Sequence, residues 1–185
     1  MGAYLDRGNA YFAKGDYSRA VAGYNEAIRI NPKYAAAYFR RGLENLYSGA
    51  LPKAVADLNR ADELNPKNAY TALWLDIADK RSHLPSRLTD AERQIDTVNW
   101  PAPVIRLYLG QGTPAAVLKA AAGPNARAKK KRVCQANFFI GELASQRGAR
   151  DDATRLFRLV VADCPRTLTE WFAAKAELNA AGVNR

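Results

Sequence analysis

The chain has 185 residues, 48% of them apolar and 25% charged, which suffices for a packed core and excludes a globally disordered chain. No run of 18 apolar residues exists, and "MGAYLDRG" lacks the basic start and apolar stretch of a secretory leader, so neither a membrane span nor an export signal is expected. The net charge of +10 is uneven: residues 1–68 carry ten basic and seven acidic side chains, 69–133 eleven and five, and 134–185 seven and six.

Tyr4, Gly8 and Tyr11 mark one face of a first helix, with the small Gly8 at a close crossing. Gly15 makes the turn, and Asp16 is the expected N-cap of a second helix. Ala20, Tyr24 and Ala27 fall at i, i+4 and i+7 on that helix, and Pro32 stops it after Asn31. The pattern returns 34 residues on, where Gly49, Ala54, Leu58, Ala61, Asn65 and Pro66 replace Gly15, Ala20, Tyr24, Ala27, Asn31 and Pro32. Tyr38 and Gly42 open this second unit, which departs from the first at Asn45, opposite Tyr11. One hairpin cannot bury its own apolar face, so neighbouring hairpins must stack. Met1 is the only methionine and the repeat register begins at once, which suggests a chain that starts inside a longer gene product.

Residues 68–133 span about two further repeat lengths. "AYTALWLDIADKRS" reads as a first helix, with Asp76 where glycine is expected, and "SRLTDAERQIDTVNWP" reads as its partner. "PVIRLYLGQGTPAAVLKAAAG" reads as a shortened hairpin turning at Gly110–Thr113, and "PNARAKKKRV" as a basic loop or a frayed helix start. A well-matched unit then begins at Cys134, with Gly141, Ala144, Ala153, Phe157, Val160 and Pro165 in frame. The tail, "TLTEWFAAKAELNAAG", predicts a lone final helix opened by a Thr167–Glu170 capping box, with Trp171 covering the last open edge.

These spacings resemble the tetratricopeptide repeat family, whose pattern asks for a large residue at repeat position 4, Gly or Ala at 8, an aromatic at 11, Ala at 20, a large residue at 24, Ala at 27 and Pro at 32. The resemblance implies an all-α fold: a solenoid, a right-handed superhelix of antiparallel helix pairs with a terminal capping helix. Its expected parts are two well-matched repeats over 1–67, two degenerate hairpins with a basic loop over 68–133, and a repeat plus capping helix over 134–185, all in one continuous array. The family's concave groove is lined from positions 5, 9 and 12 of each first helix. Here these are Leu5, Asn9 and Phe12, then Phe39, Leu43 and Leu46, then Leu73 and Ile77. The cationic clamp with which some members hold a terminal carboxylate is missing, since only Asn9 remains of it. Such an apolar groove either binds a helix or extended segment of a protein partner, or is filled by the chain's own later helices or by a second copy in a homodimer. The order of parts, "YTALWLDIA", "WPAPVIRLYLG" and "ANFFIGELASQRG", is similar to a bacterial outer-membrane lipoprotein family, that of new lipoprotein I. That resemblance implies an envelope adaptor that gathers peptidoglycan hydrolases and a processing protease. Membrane contact would then require an N-terminal lipid anchor outside this sequence.

Nothing in the sequence has the spacing of a catalytic or metal site. His83 is the only histidine and sits in a polar stretch beside Lys80 and Arg81, and "GQG" at Gly110–Gly112 reads as a turn. A non-catalytic scaffold with no cofactor is therefore expected. The run Arg127, Lys129, Lys130, Lys131 and Arg132 is either a solvated surface or an electrostatic contact with an acidic protein, an anionic lipid or nucleic acid. No aromatic residue interleaves it, so nucleic acid is not the expected partner; a basic α-solenoid associating with nucleic acid through Arg127–Arg132 is the rival reading. Cys134 and Cys164 occupy positions 1 and 31 of one repeat, at the same open end of an antiparallel hairpin, where a disulfide can form. Such a bond favours the periplasm or outer membrane over the cytoplasm.

Overall fold

The computed structural model describes residues 2–183, which form eleven α-helices and no strand. The helices fall into two contact units, Met1–Asp96 and Thr97–Arg185.

In the first unit, α1 (Gly2–Ala13), α2 (Tyr17–Ile30), α3 (Ala35–Tyr47), α4 (Leu51–Leu64) and α5 (Ala69–Arg81) each pack on the next, and α5 also touches the short α6 (Leu88–Glu92). The Asp16 side chain accepts from the Arg19 N–H at 3.2 Å and starts α2 where the sequence places it. Gly15, at φ +78°, supplies the left-handed turn before it. The α1–α2 crossing needs glycine at position 8, because a Cβ on Gly8 would lie 2.6 Å from the Tyr24 ring. Ala20, Ala27, Ala54 and Leu58 are fully buried at the same kind of contact. Burial of a side chain the size of Leu58 contributes roughly 1.5–3 kcal/mol.

Polar side chains replace aromatic packing in the later hairpins. Asn45, standing where the repeat expects an aromatic ring, donates from Nδ2 to Asp57 Oδ2 at 3.0 Å. Arg41 grips the same carboxylate with two bonds, Nε to Oδ2 at 2.8 Å and Nη2 to Oδ1 at 2.6 Å. Asp79, one repeat beyond Asn45, is engaged identically by Arg87, at 3.0 and 2.7 Å. Asp76, at the expected glycine position, is 1% exposed, pairs with Lys80 Nζ at 2.7 Å and accepts from Ser86 Oγ.

These contacts explain a departure from the sequence expectation. The predicted helix over "SRLTDAERQIDTVNWP" contracts to the five residues of α6. Only Leu88 and Ile95 are buried between residues 86 and 99, which is too short a stripe to hold a full helix against α5. Arg87 and Ser86 instead tie the connecting segment to the carboxylates of α5.

In the second unit, α7 (Ala102–Tyr108) and α8 (Pro114–Ala120) form the shortened hairpin, with Thr113 Oγ1 accepting from the Ala116 N–H at 3.2 Å. α9 (Ala126–Gln146) and α10 (Arg150–Asp163) form the hairpin predicted from Cys134, and α11 (Thr169–Ala180) packs on both. The Trp171 indole N–H reaches the Val161 carbonyl at 3.0 Å. Two expectations are corrected here. Of the two readings of the basic run, a loop or a helix start, the helix start is what forms and the loop is corrected: Asn125 Oδ1 accepts from the Ala128 N–H at 2.9 Å, and α9 begins eight residues before Cys134. Ala, Lys and Arg are good helix formers, so a capped run of them extends the helix. The Thr167–Glu170 capping box does not form either. Leu168 is the N-cap, and the Glu170 carboxylate turns inward to accept from Gln135 Nε2 at 3.1 Å.

Candidate protein-interaction groove

The predicted groove residues separate into two sets. Asn9, Phe12 and Phe39 are half-buried and keep a face in solvent, beside Leu5 at 9% exposure. Leu43, Leu46, Leu73 and Ile77 are 0–3% exposed and belong to the core. For these four the expectation of an open lining is corrected. α5 is enclosed on every side, with each residue from Thr71 to Asp79 buried. A helix apolar all round is a buried helix. Of the predicted lining, what stays in contact with solvent lies on α1 and α3, the candidate groove mouth.

That mouth is aromatic and polar together. The Phe12 ring lies 5.9 Å from the exposed Tyr17 ring, and the Arg40 guanidinium lies 5.9 Å from the centre of Phe39. The Tyr24 hydroxyl donates to Asn9 Oδ1 at 3.1 Å, and burial pushes its phenol up to about 12, so it stays a neutral donor. Glu44, on α3, acts on the same phenol. It is 5% exposed and accepts no hydrogen bond, and burial pushes its carboxyl from 4.5 up to about 7. Sequence reasoning missed Glu44, which has no counterpart in the repeat pattern. The Asp57 and Asp79 pairs left a readable signal: polar residues, Asn45 and Asp79, at the repeat's aromatic position. Hydrogen bonds from Arg41 to Asp57 and from Arg87 to Asp79 raise both guanidinium pKa values further, so both arginines stay charged.

Elsewhere in the first unit, Asp62, Asp76, Arg87, Leu88, Asp90 and Gln94 line an open hollow of about 190 Å³. Lys80 already pairs with the buried Asp76 there, and Arg87 is committed to Asp79. Burial raises the Asp62 carboxyl, and Arg87 opposes that rise. Among the described residues no three His, Cys, Asp or Glu side chains gather as a metal site. His83 is exposed and closes α5 in a left-handed conformation, φ 56°.

In the second unit, Arg127, Lys129, Lys130 and Lys131 are exposed on the first turns of α9 and form no ion pair among the described residues. Arg132 folds back over the Trp100 ring at 5.8 Å, and the Trp100 indole N–H bonds Gln135 Oε1 at 2.9 Å. The chain thus brings an aromatic ring to the basic run from 32 residues upstream, beyond the reach of local sequence reading. Cys134 and Cys164 are joined in a disulfide across the open end of the α9–α10 hairpin, with Cα atoms 5.8 Å apart.

The family model described as TPR repeat matches residues 8–46, from Gly8 on α1 to Leu46 on α3, the stretch that contains the groove mouth. Among solved structures the chain is similar to the MamA protein, with 18% sequence identity and a TM-score of 0.45, over 100% of this chain and 98% of that one. The described residues are all-α, and the match to the TPR repeat covers residues 8–46.

Proposed function

We propose that the chain is a non-catalytic protein-interaction scaffold that holds a segment of a partner protein at the groove mouth formed by Asn9, Phe12 and Phe39. One observation carries this reading. Two aromatic side chains remain half-open beside a polar cluster, while the rest of the groove is closed by the chain's own core. The test is the double variant Phe12→Ala, Phe39→Ala in the full chain, scored by affinity capture and by oligomeric state. The expected result is loss of the captured partner, or of a homodimer, with helical content unchanged. Unchanged partners and an unchanged oligomeric state would refute the groove.

The finer reading places this scaffold in the bacterial envelope, gathering peptidoglycan-processing enzymes or a protease. The Cys134–Cys164 bond supports it, because structural disulfides persist in oxidising compartments and are rare in the cytosol. A second reading, association with nucleic acid, draws on the exposed cations of α9 and the nearby Trp100. It is the weaker of the two, because Arg132 already occupies the ring.

A further inference from the structure

We propose that the groove mouth selects a segment carrying a Lys or Arg side chain, whose cation pairs with the Glu44 carboxylate. This inference rests on the groove reading above and adds the chemistry of the occupant.

Six carboxylates are buried among the described residues: Glu44, Asp57, Asp76, Asp79, Glu142 and Glu170. Asp57 and Asp79 are each held by an arginine, Asp76 by Lys80 and Ser86, and Glu170 by Gln135. Glu142 is also partnered. Glu44 alone has no hydrogen bond and no ion pair among the described residues, although it is as buried as the others, at 5% exposure. At 5% exposure the residue keeps a small area in contact with solvent. A carboxylate stripped of water with no partner is unfavourable, and a cation entering from outside relieves that cost.

The groups around Glu44 leave that position open. From α1 comes Asn9, which carries no charge and whose Nδ2 makes no hydrogen bond among the described residues. From α2 comes the Tyr24 phenol, which stays neutral to about 12. On α3 itself, Arg40 lies one turn earlier, with its guanidinium 5.9 Å from the centre of the Phe39 ring, and it acts on the Tyr24 phenol as Glu44 does. Arg41 is committed to Asp57 of α4. From α5, Arg81 lies over the Tyr47 ring at 5.4 Å. No described cation of the unit therefore pairs with Glu44.

The surrounding surface suits a long basic side chain. Lys and Arg bury an aliphatic stem and present a charged head. Phe39 and Phe12 offer apolar area for the stem, Glu44 receives the head, and Asn9 Nδ2 can donate to a backbone carbonyl of the incoming segment. Docking of the cation requires ionised Glu44, so below pH 7 a proton must leave the carboxyl for solvent as the complex forms. With a carboxyl pKa of about 7, the ionised fraction is about 0.9 at pH 8 and about 0.1 at pH 6, so affinity falls about tenfold between them.

The experiment is selection of a displayed library of random seven-residue peptides against the full chain at pH 8. Selected peptides are then measured on wild type, Glu44→Gln and Phe39→Ala at pH 8 and pH 6. The expected peptides share one Lys or Arg, lose binding on Phe39→Ala, and weaken about tenfold from pH 8 to pH 6 on wild type. On Glu44→Gln they lose both the basic preference and the pH dependence. Peptides that need Phe39 but show no basic preference, or that bind Glu44→Gln with the same pH profile, overturn the Glu44 pairing and leave the groove intact. Failure to select any peptide that Phe39→Ala weakens overturns the groove reading and the pairing with it.

Discussion

Replacing Glu44 by glutamine should make the first unit more stable at pH 8 and leave it unchanged near pH 4. The side chain keeps its shape and loses only its charge. The ordinary carboxyl value is 4.5 and the folded value about 7, so between these pH values the folded chain holds a proton that the unfolded chain has released. Stability linked to this group is therefore fully present below pH 4.5 and is lost as pH rises through 7. A tenfold change in proton affinity corresponds to about 1.4 kcal/mol, so a carboxyl raised this far sets a ceiling of about 3 kcal/mol at pH 8. Local relaxation and residual solvent contact lower the expected gain to about 1–3 kcal/mol. The assay is urea unfolding of wild type and variant from pH 4 to pH 8, followed by far-UV circular dichroism and by the emission of Trp74, which lies edge-on to Tyr47 in this unit. The informative quantity is the difference between the two proteins, because other carboxylates titrate equally in both. A variant no more stable than wild type at pH 8 would show that Glu44 finds a partner in solution, and the argument for an incoming cation would fail with it.

Ala54 is fully buried where α3 crosses α4, so Ala54→Leu should overpack the crossing and cost about 1–3 kcal/mol. An unchanged urea midpoint would show that the crossing has room and that the repeat frame is wrong. Closing a loop of 30 residues, the Cys134–Cys164 bond should contribute about 3–4 kcal/mol in the chain-entropy model, measured as the stability lost in Cys134→Ser with Cys164→Ser. Two freely alkylated thiols in protein recovered from an oxidising compartment would contradict the bond and the envelope reading together. A salt titration of DNA binding should show only weak, sequence-blind association through α9 that disappears near physiological salt. Tight binding at that salt would favour the nucleic-acid reading instead.

The hairpins are legible because their spacing is a steric requirement. Only a residue without a side chain fits at Gly8 against the Tyr24 ring, and the fully buried Ala20 and Ala54 mark equally close contacts. Such constraints act between residues close in sequence, so a single chain displays them. The openness of the groove is not legible in the same way. Repeat register states which way Leu43 and Leu73 point, but burial depends on what packs over them. One signal is present: in "ALWLDIA" every residue but Asp76 is apolar, so the apolar surface runs around the helix, the mark of an enclosed α5. In the basic run, the density of charge suggests a solvated loop and hides the cap. Asn125 followed by Ala126 and Ala128 is a helix start, whatever the charge behind it.

The buried ion pairs show how two similar hairpins avoid exchanging partners. A pair such as Arg41–Asp57 adds little net stability, because desolvating both charges offsets most of their attraction. Its effect lies in what a wrong arrangement leaves behind. Arg41 and Asn45 of α3 find a carboxylate at Asp57 of α4, whereas the matching site on α2 is Gly23, where an added Cβ would lie 2.9 Å from Gly8. Pairing α3 with α2 as its hairpin partner would bury an arginine with nothing to neutralise it. Pairing α1 with α4 would force the Asp57 side chain into the space that Gly23 keeps clear. At this position the first hairpin is thus specified by the absence of a side chain and the second by charge, while Gly8 and Gly42 keep both crossings close. Asp79 and Arg87 repeat the device where the third hairpin shrinks to α6, holding by charge what a five-residue helix cannot hold by apolar burial. Glu44 belongs to neither scheme. It meets no described cation within its own unit, and the Tyr24 phenol on which it acts is bonded to Asn9, one of the residues proposed to form the groove mouth.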